Sequence, residues 1–125
     1  MRKSLVAIGL NLLLTGTVLS AEAGMDTDLM QSIEDSTKSL SSAIDLKDAK
    51  SVTDEARELE KLFEHVEAFY AKQGNAEDAL SLSRKSRDWA STLAKLASDK
   101  DFDSASTTAR DLTRACKSCH NVYKS

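Results

Sequence analysis

"VTDEARELEKLFEHVEAFYAKQG", residues 52–74, decides the fold. Val52, Ala56, Leu59, Phe63, Val66 and Tyr70 recur at steps of 4, 3, 4, 3 and 4, which lines them along one side of a helix. The residues between them, as in "RELEKLFEHVE", form a charged outer face suited to water. Gly74 ends the pattern, and glycine tolerates the positive φ found where helices stop.

The same spacing extends outward in both directions. Upstream, Met30, Ile33, Thr37, Leu40 and Ile44 follow at steps of 3, 4, 3 and 4, with Asp26 or Thr27 as the N-cap and "DLKD" (45–48) as the break. Downstream, Asn75 is expected to cap a third helix whose buried face is Ala79, Leu82, Ser86, Trp89, Leu93 and Leu96. After "SDKDFD" (98–103), Asp101 or Asp103 opens a fourth helix. Phe102, Ala105, Ala109, Leu112, Cys116, Cys119 and Tyr123 lie on or near one side of it. The chain has no proline, and beyond residue 24 its only glycine is Gly74, which favours long helices over a turn-rich β fold. Four helices of about five turns, joined by short links, predict an all-α, antiparallel up-down-up-down four-helix bundle. No internal repeat stands out. Small residues on the stripes (Ala56, Ala79, Ser86, Ala105, Ala109) are expected to leave space for a bulky ligand.

The first residues read differently. Arg2 and Lys3 precede the apolar stretch "LVAIGLNLLLTGTVL" (5–19), and Ala21 and Ala23 supply the small-residue spacing of a signal-peptide cleavage site. Residues 1–23 are therefore expected to be a cleaved signal peptide, with residues 24–125 as one exported, periplasmic domain and no stable membrane insertion after cleavage. Cleavage after Ala23 would remove two cations and one anion, taking the net charge from −3 to −4. The charges are interspersed and no basic run suggests nucleic acid. No phosphate loop, serine–histidine–acid set or carboxylate pair appears, so the chain does not read as an enzyme.

"RACKSCHNVYKS" (114–125) carries the chemistry. Cys116, Cys119 and His120 spell C-x-x-C-H, the attachment sequence of a c-type haem. On a helix, Cys116 and Cys119 sit at i and i+3 and His120 one turn beyond Cys116, so the three project into one slab of space. Two thiols can then bond the porphyrin while the imidazole ligates the iron. Other readings compete. A redox dithiol wants the motif at a helix N-terminus after a strand, where the thiol pKa falls. A structural zinc site wants four ligands, and the only other histidine, His65, is distant in sequence. Chance is the third. A single covalently attached haem c fits best.

A second iron ligand can be sought by register. In an up-down-up-down bundle the start of the first helix lies beside the end of the fourth. Met30 and His120 both stand roughly 25 Å from the breaks that separate their helices from the next, at 1.5 Å per residue. Met30 is in phase with Ile33 and Leu40, whereas Met25 is out of register. Thioether sulfur is an ordinary axial partner of histidine-bound haem, and the alternative is that Met30 only fills the core. His65 lies off its stripe and reads as a solvated or rim residue. Trp89 suits either the core or the porphyrin. Arg110, Arg114, Lys117 and Lys124 could pair with haem propionates or meet a partner, or simply complement the helix dipole.

On these residues the chain resembles the class II cytochromes c, that is, cytochrome c-prime and its low-spin, methionine-ligated relatives. "LMQSIEDSTKSL" (29–40) is similar to the first-helix segment that carries their axial methionine, here Met30. "RDWA" (87–90) resembles their tryptophan-bearing segment, and "LTRACKSCHNVYK" (112–124) their terminal haem-binding helix. The soluble haem-b bundle cytochrome is also similar, but lacks the thioether cysteines. The resemblance implies a four-helix bundle with haem near the C-terminal end of helix four. It also implies single-electron transfer to redox partner proteins, by a monomer or a homodimer. The rival expectation is a five-coordinate, c-prime-like protein that binds nitric oxide or carbon monoxide.

Overall fold

The structure, a computed structural model, describes the backbone of residues 27–123, and the side chains of residues 27–118 and His120. Residues 1–23, expected to be a signal peptide, and Met25, Asp26, Lys124 and the thiol of Cys119 lie outside the described residues. Four helices make up the fold: α1 (Thr27–Asp45), α2 (Ala49–Gln73), α3 (Glu77–Ser98) and α4 (Phe102–Tyr123). At 25 residues, α2 runs close to seven turns rather than the expected five. Each helix packs on its two neighbours in a closed ring, α1–α2–α3–α4–α1, with no close backbone approach across the diagonals among the described residues. The α2–α3 seam is the most extensive and α1–α4 the sparsest. No helix among the described residues is long and apolar enough to cross a membrane.

The links explain why the helices stop where they do. Lys47 and Lys100 adopt left-handed conformations, with φ of 54° and 57°. After each, an aspartate N–H reaches back: Asp48 to the Ala43 carbonyl at 3.0 Å, and Asp101 to the Leu96 carbonyl at 2.9 Å. With the Lys47–Ile44 and Lys100–Ala97 bonds, both 3.0 Å, these form the paired closure of a Schellman end. The same aspartates then open the next helix. Asp48 Oδ1 accepts from the Ser51 N–H at 3.2 Å, and Asp101 Oδ1 from the Ser104 N–H at 3.1 Å. In both aspartates the carboxyl pKa is lowered, chiefly by the hydrogen bonds from Ser51 and from Ser104. "KDAKS" (47–51) and "KDFDS" (100–104) are thus one device used twice. The third link differs. Gly74, at φ 72°, closes α2. The residue that opens α3 is Ala76, with no side-chain cap, so the expected cap at Asn75 falls one position early.

Leu40, Val52, Leu59, Leu93 and Leu112, all fully buried, form the densest part of the core, with Ile44, Ala56, Ala97 and Ala105 among them. On α3 the buried face is centred on Ser83, Ser86, Ala90, Leu93 and Ala97. The expected Leu82, Trp89 and Leu96 are only half-buried on its flank. Alanines let this helix approach its neighbours closely, and the larger residues beside them cover the seam. Polar ties also cross the seams. Ser36 Oγ donates to Glu55 Oε2 at 2.8 Å between α1 and α2. Glu67 on α2 accepts from Arg84 Nε at 3.0 Å and also from Arg87 on α3.

Candidate functional site

A cavity of about 660 Å³ opens where the first turns of α1 and the first half of α3 meet the last turns of α2 and α4. That volume is in the ordinary range of cofactor sites, about 300–1,000 Å³. Its walls come from all four helices. α1 supplies Met30, Ile33 and Thr37; α2 supplies Phe63, Val66 and Tyr70; α3 supplies Leu82, Ser83 and Ser86. From α4 come Ala115, Cys116 and His120. Gln31, Glu34, Lys38 and Lys117 are exposed residues that also line it, a polar rim to an apolar interior.

The hollow follows from side-chain size. Thr37, Ser83, Ser86 and Ala115 are too short to reach across the bundle. Phe63, Val66 and Tyr70 therefore face open space instead of a facing leucine. Among the small residues expected to leave space, Ser86 does so in this cavity. Ala56, Ala79 and Ala105 do not, being fully buried at close helix contacts.

Three of the four expected site residues meet at this cavity: Met30, Cys116 and His120 line it together. Met30 and Cys116 are half-buried against the core, and the His120 side chain is exposed at the last turns of α4. Cys119, one residue before His120, is on the same helix with its side chain outside the described residues. Of the basic residues weighed on α4, Lys117 lines the cavity. Arg114 instead pairs with Asp111 at 3.5 Å, and Arg110 donates to the Ser106 hydroxyl at 3.3 Å. His65 is exposed and stands apart from these walls, and Trp89 packs half-buried against the core without lining them.

Lys38 is a lining residue the sequence did not single out. Glu34, one turn earlier, holds its ammonium at 2.7 Å, and that hydrogen bond raises the lysine's pKa. Only its position next to Thr37 on the stripe hints at its placement. Among the described residues no three His, Cys, Asp or Glu side chains gather as a metal-holding group. A haem needs no such cluster, because its porphyrin supplies the equatorial donors and the protein adds one or two axial ligands. The residues present fit that group: an apolar hollow of suitable volume, an imidazole and a thioether sulfur on its walls, and a thiol beside the imidazole. Compared with known proteins, the chain matches no family model, no curated sequence and no solved structure.

Proposed function

We propose that this chain is an exported monohaem c-type cytochrome that carries single electrons. The fold would be an antiparallel up-down-up-down bundle, with its haem near the C-terminal end of α4. The observation that carries this reading is the meeting of Met30, Cys116 and His120 on one cavity, with Cys116 and His120 belonging to a C-x-x-C-H sequence. The bundle's sense is supported by which helix ends share those walls: the beginnings of α1 and α3 with the ends of α2 and α4.

When bound, the haem supplies reversible one-electron chemistry at its iron. The chain's own residues do the rest. Cys116 and Cys119 would hold the porphyrin through thioether bonds, which keeps the cofactor on a small exported protein. His120 would be the proximal iron ligand, and the Met30 sulfur the distal one. Ile33, Phe63 and Val66 exclude water from the interior, which favours a fixed electrostatic environment as the charge on the site changes. The open rim is the route by which an electron would pass to a redox partner protein, with no bond to a substrate.

The test is the visible spectrum of protein matured with a haem-attachment system, oxidised and reduced, before and after carbon monoxide. A low-spin spectrum indifferent to the gas is expected. A high-spin spectrum that shifts with the gas would reduce Met30 to a wall residue and favour a gas-binding protein. Lack of covalent haem would sink the reading altogether. Met30→Ala should convert low spin to high spin while leaving covalent attachment through the cysteines intact.

A further inference from the structure

The hydroxyls on the cavity walls are of two kinds. Those of Thr37, Ser83 and Thr113 donate to the carbonyls of Ile33, Ala79 and Ala109 at 2.7, 2.6 and 3.0 Å, one turn back on their own helices. Their protons are already used. Ser86 is different. It is 3% exposed, lines the cavity, and makes no hydrogen bond among the described residues. Among those residues, no side-chain oxygen or nitrogen sealed from open space lacks a partner. The Ser86 oxygen therefore borders open space, and the space on whose wall it stands is this cavity. Facing that space, the hydroxyl has no acceptor among the described residues, so its proton is available to whatever occupies the cavity.

The cavity's charge points to the kind of acceptor. Lys38 and Lys117 both line it; the carboxylate among its walls, Glu34, is paired with Lys38, and Lys117 has no ion pair among the described residues. His120 is the other titratable nitrogen on these walls. Such a site suits a ligand that is apolar in the middle and anionic at its edge. A haem is that shape of molecule, and its two carboxylates are the hydrogen-bonding groups of its periphery.

We propose that the Ser86 hydroxyl donates a hydrogen bond to a carboxylate of the bound haem, an inference that rests on the cavity being the haem site. Ser86 is then a positioning residue: it orients the macrocycle and favours the ionised carboxylate.

The experiment follows the reduction potential of haem-loaded protein from pH 4 to pH 9 in the parent, Ser86→Ala and Ser86→Cys. Loss of the donor should raise the carboxylate's proton affinity roughly tenfold to a hundredfold, moving the pH-dependent step of the potential upward by about one to two units. Ser86→Cys, whose S–H is a weak donor, should move it less and in the same direction. A second measurement separates this from a packing effect: the haem-free Ser86→Ala chain should melt at or above the parent's temperature, since it loses no hydrogen bond. An unchanged pH profile in haem-loaded Ser86→Ala overturns the inference and leaves the cytochrome reading standing. An unchanged profile, with an altered infrared stretch of carbon monoxide bound to the Met30→Ala, Ser86→Ala double variant relative to Met30→Ala, also overturns it, because the hydroxyl would then face the iron. If the parent takes up no covalent haem, both readings fall together.

Discussion

The two ends of the bundle are built from the same amphipathic pattern and reach opposite results. Toward the 46–48 and 99–101 links, Leu40, Ile44, Val52 and Leu93 are buried and pack the interior. Toward the Gly74 link, the positions that face inward on α1, α3 and α4 include Thr37, Ser83, Ser86 and Ala115, and the interior opens into a cavity. Hydrophobic spacing sets where each helix faces. The volume of the side chains on that face sets whether the middle is full. A bundle can therefore hold a hollow without any break in its helical repeat, provided the other end supplies the stability.

The sharpest way to break this contrast is to make one kind of truncation at both ends of the haem-free chain. Leu93→Ala, at the packed end, should cost about 2–5 kcal/mol, the range for deleting a buried leucine in a tight core. Leu82→Ala, on the cavity wall, should cost under about 1 kcal/mol, because there is little packing to lose and no new cavity to make. Urea unfolding of both variants measures this, and equal losses would mean that the hollow end is packed after all. Filling the hollow tests it from the other side. Thr37→Leu should stabilise the haem-free chain by about 1 kcal/mol through added apolar burial, and should lower covalent haem yield during maturation.

Much of the fold was legible because it depends on local features. The stripes around Val52–Tyr70 and Met30–Ile44, the stop at Gly74 and the breaks at 45–48 and 98–103 all rest on residue spacing and link chemistry. The face of α3 was legible by half: Ala79, Ser86 and Leu93 are buried as expected, and the rest is displaced. A pattern that favours large apolar residues selects Leu82, Trp89 and Leu96, whereas close helix packing buries Ser83, Ala90 and Ala97. The gathering of Met30, Cys116 and His120 could be anticipated from helix register. That Ser86 lines a cavity was expected; that its hydroxyl, unlike that of Ser83, does not bond its own backbone, and that Lys38 reaches the rim, could not be.

The links allow smaller tests of the two ends. Gly74→Ala meets no atom within 4 Å, so its cost is purely that of the left-handed backbone, about 1 kcal/mol. Lys100→Gly should act in the opposite direction, relieving the φ of 57° and raising stability by roughly 0.5 kcal/mol. Thermal unfolding of the two variants measures both signs.

The smallest effect concerns pH. Asp48 and Asp101 both have carboxyl pKa values below the ordinary 3.8. A folded pKa below the unfolded one stabilises the fold above the unfolded value, and the contribution fades as pH falls through the folded one. Melting temperature should therefore drop between about pH 4 and pH 2, and Asp48→Asn with Asp101→Asn should flatten that slope. Since both aspartates serve the packed end, acid should loosen that end while the Gly74 link is unaffected.

The sparse seam between α1 and α4 bears on how such a molecule would be assembled. Held by the broad α2–α3 contact and the Glu67 ties to Arg84 and Arg87, the middle hairpin can act as a stationary jaw. The outer two helices, which carry Met30 on one side and Cys116 and His120 on the other, meet along the sparsest seam and are expected to part first. Amide exchange in the haem-free chain is then expected to be fastest along α1 and α4. On the proposed reading, a haem would enter sideways between α1 and α4, and its arrival would latch the ring.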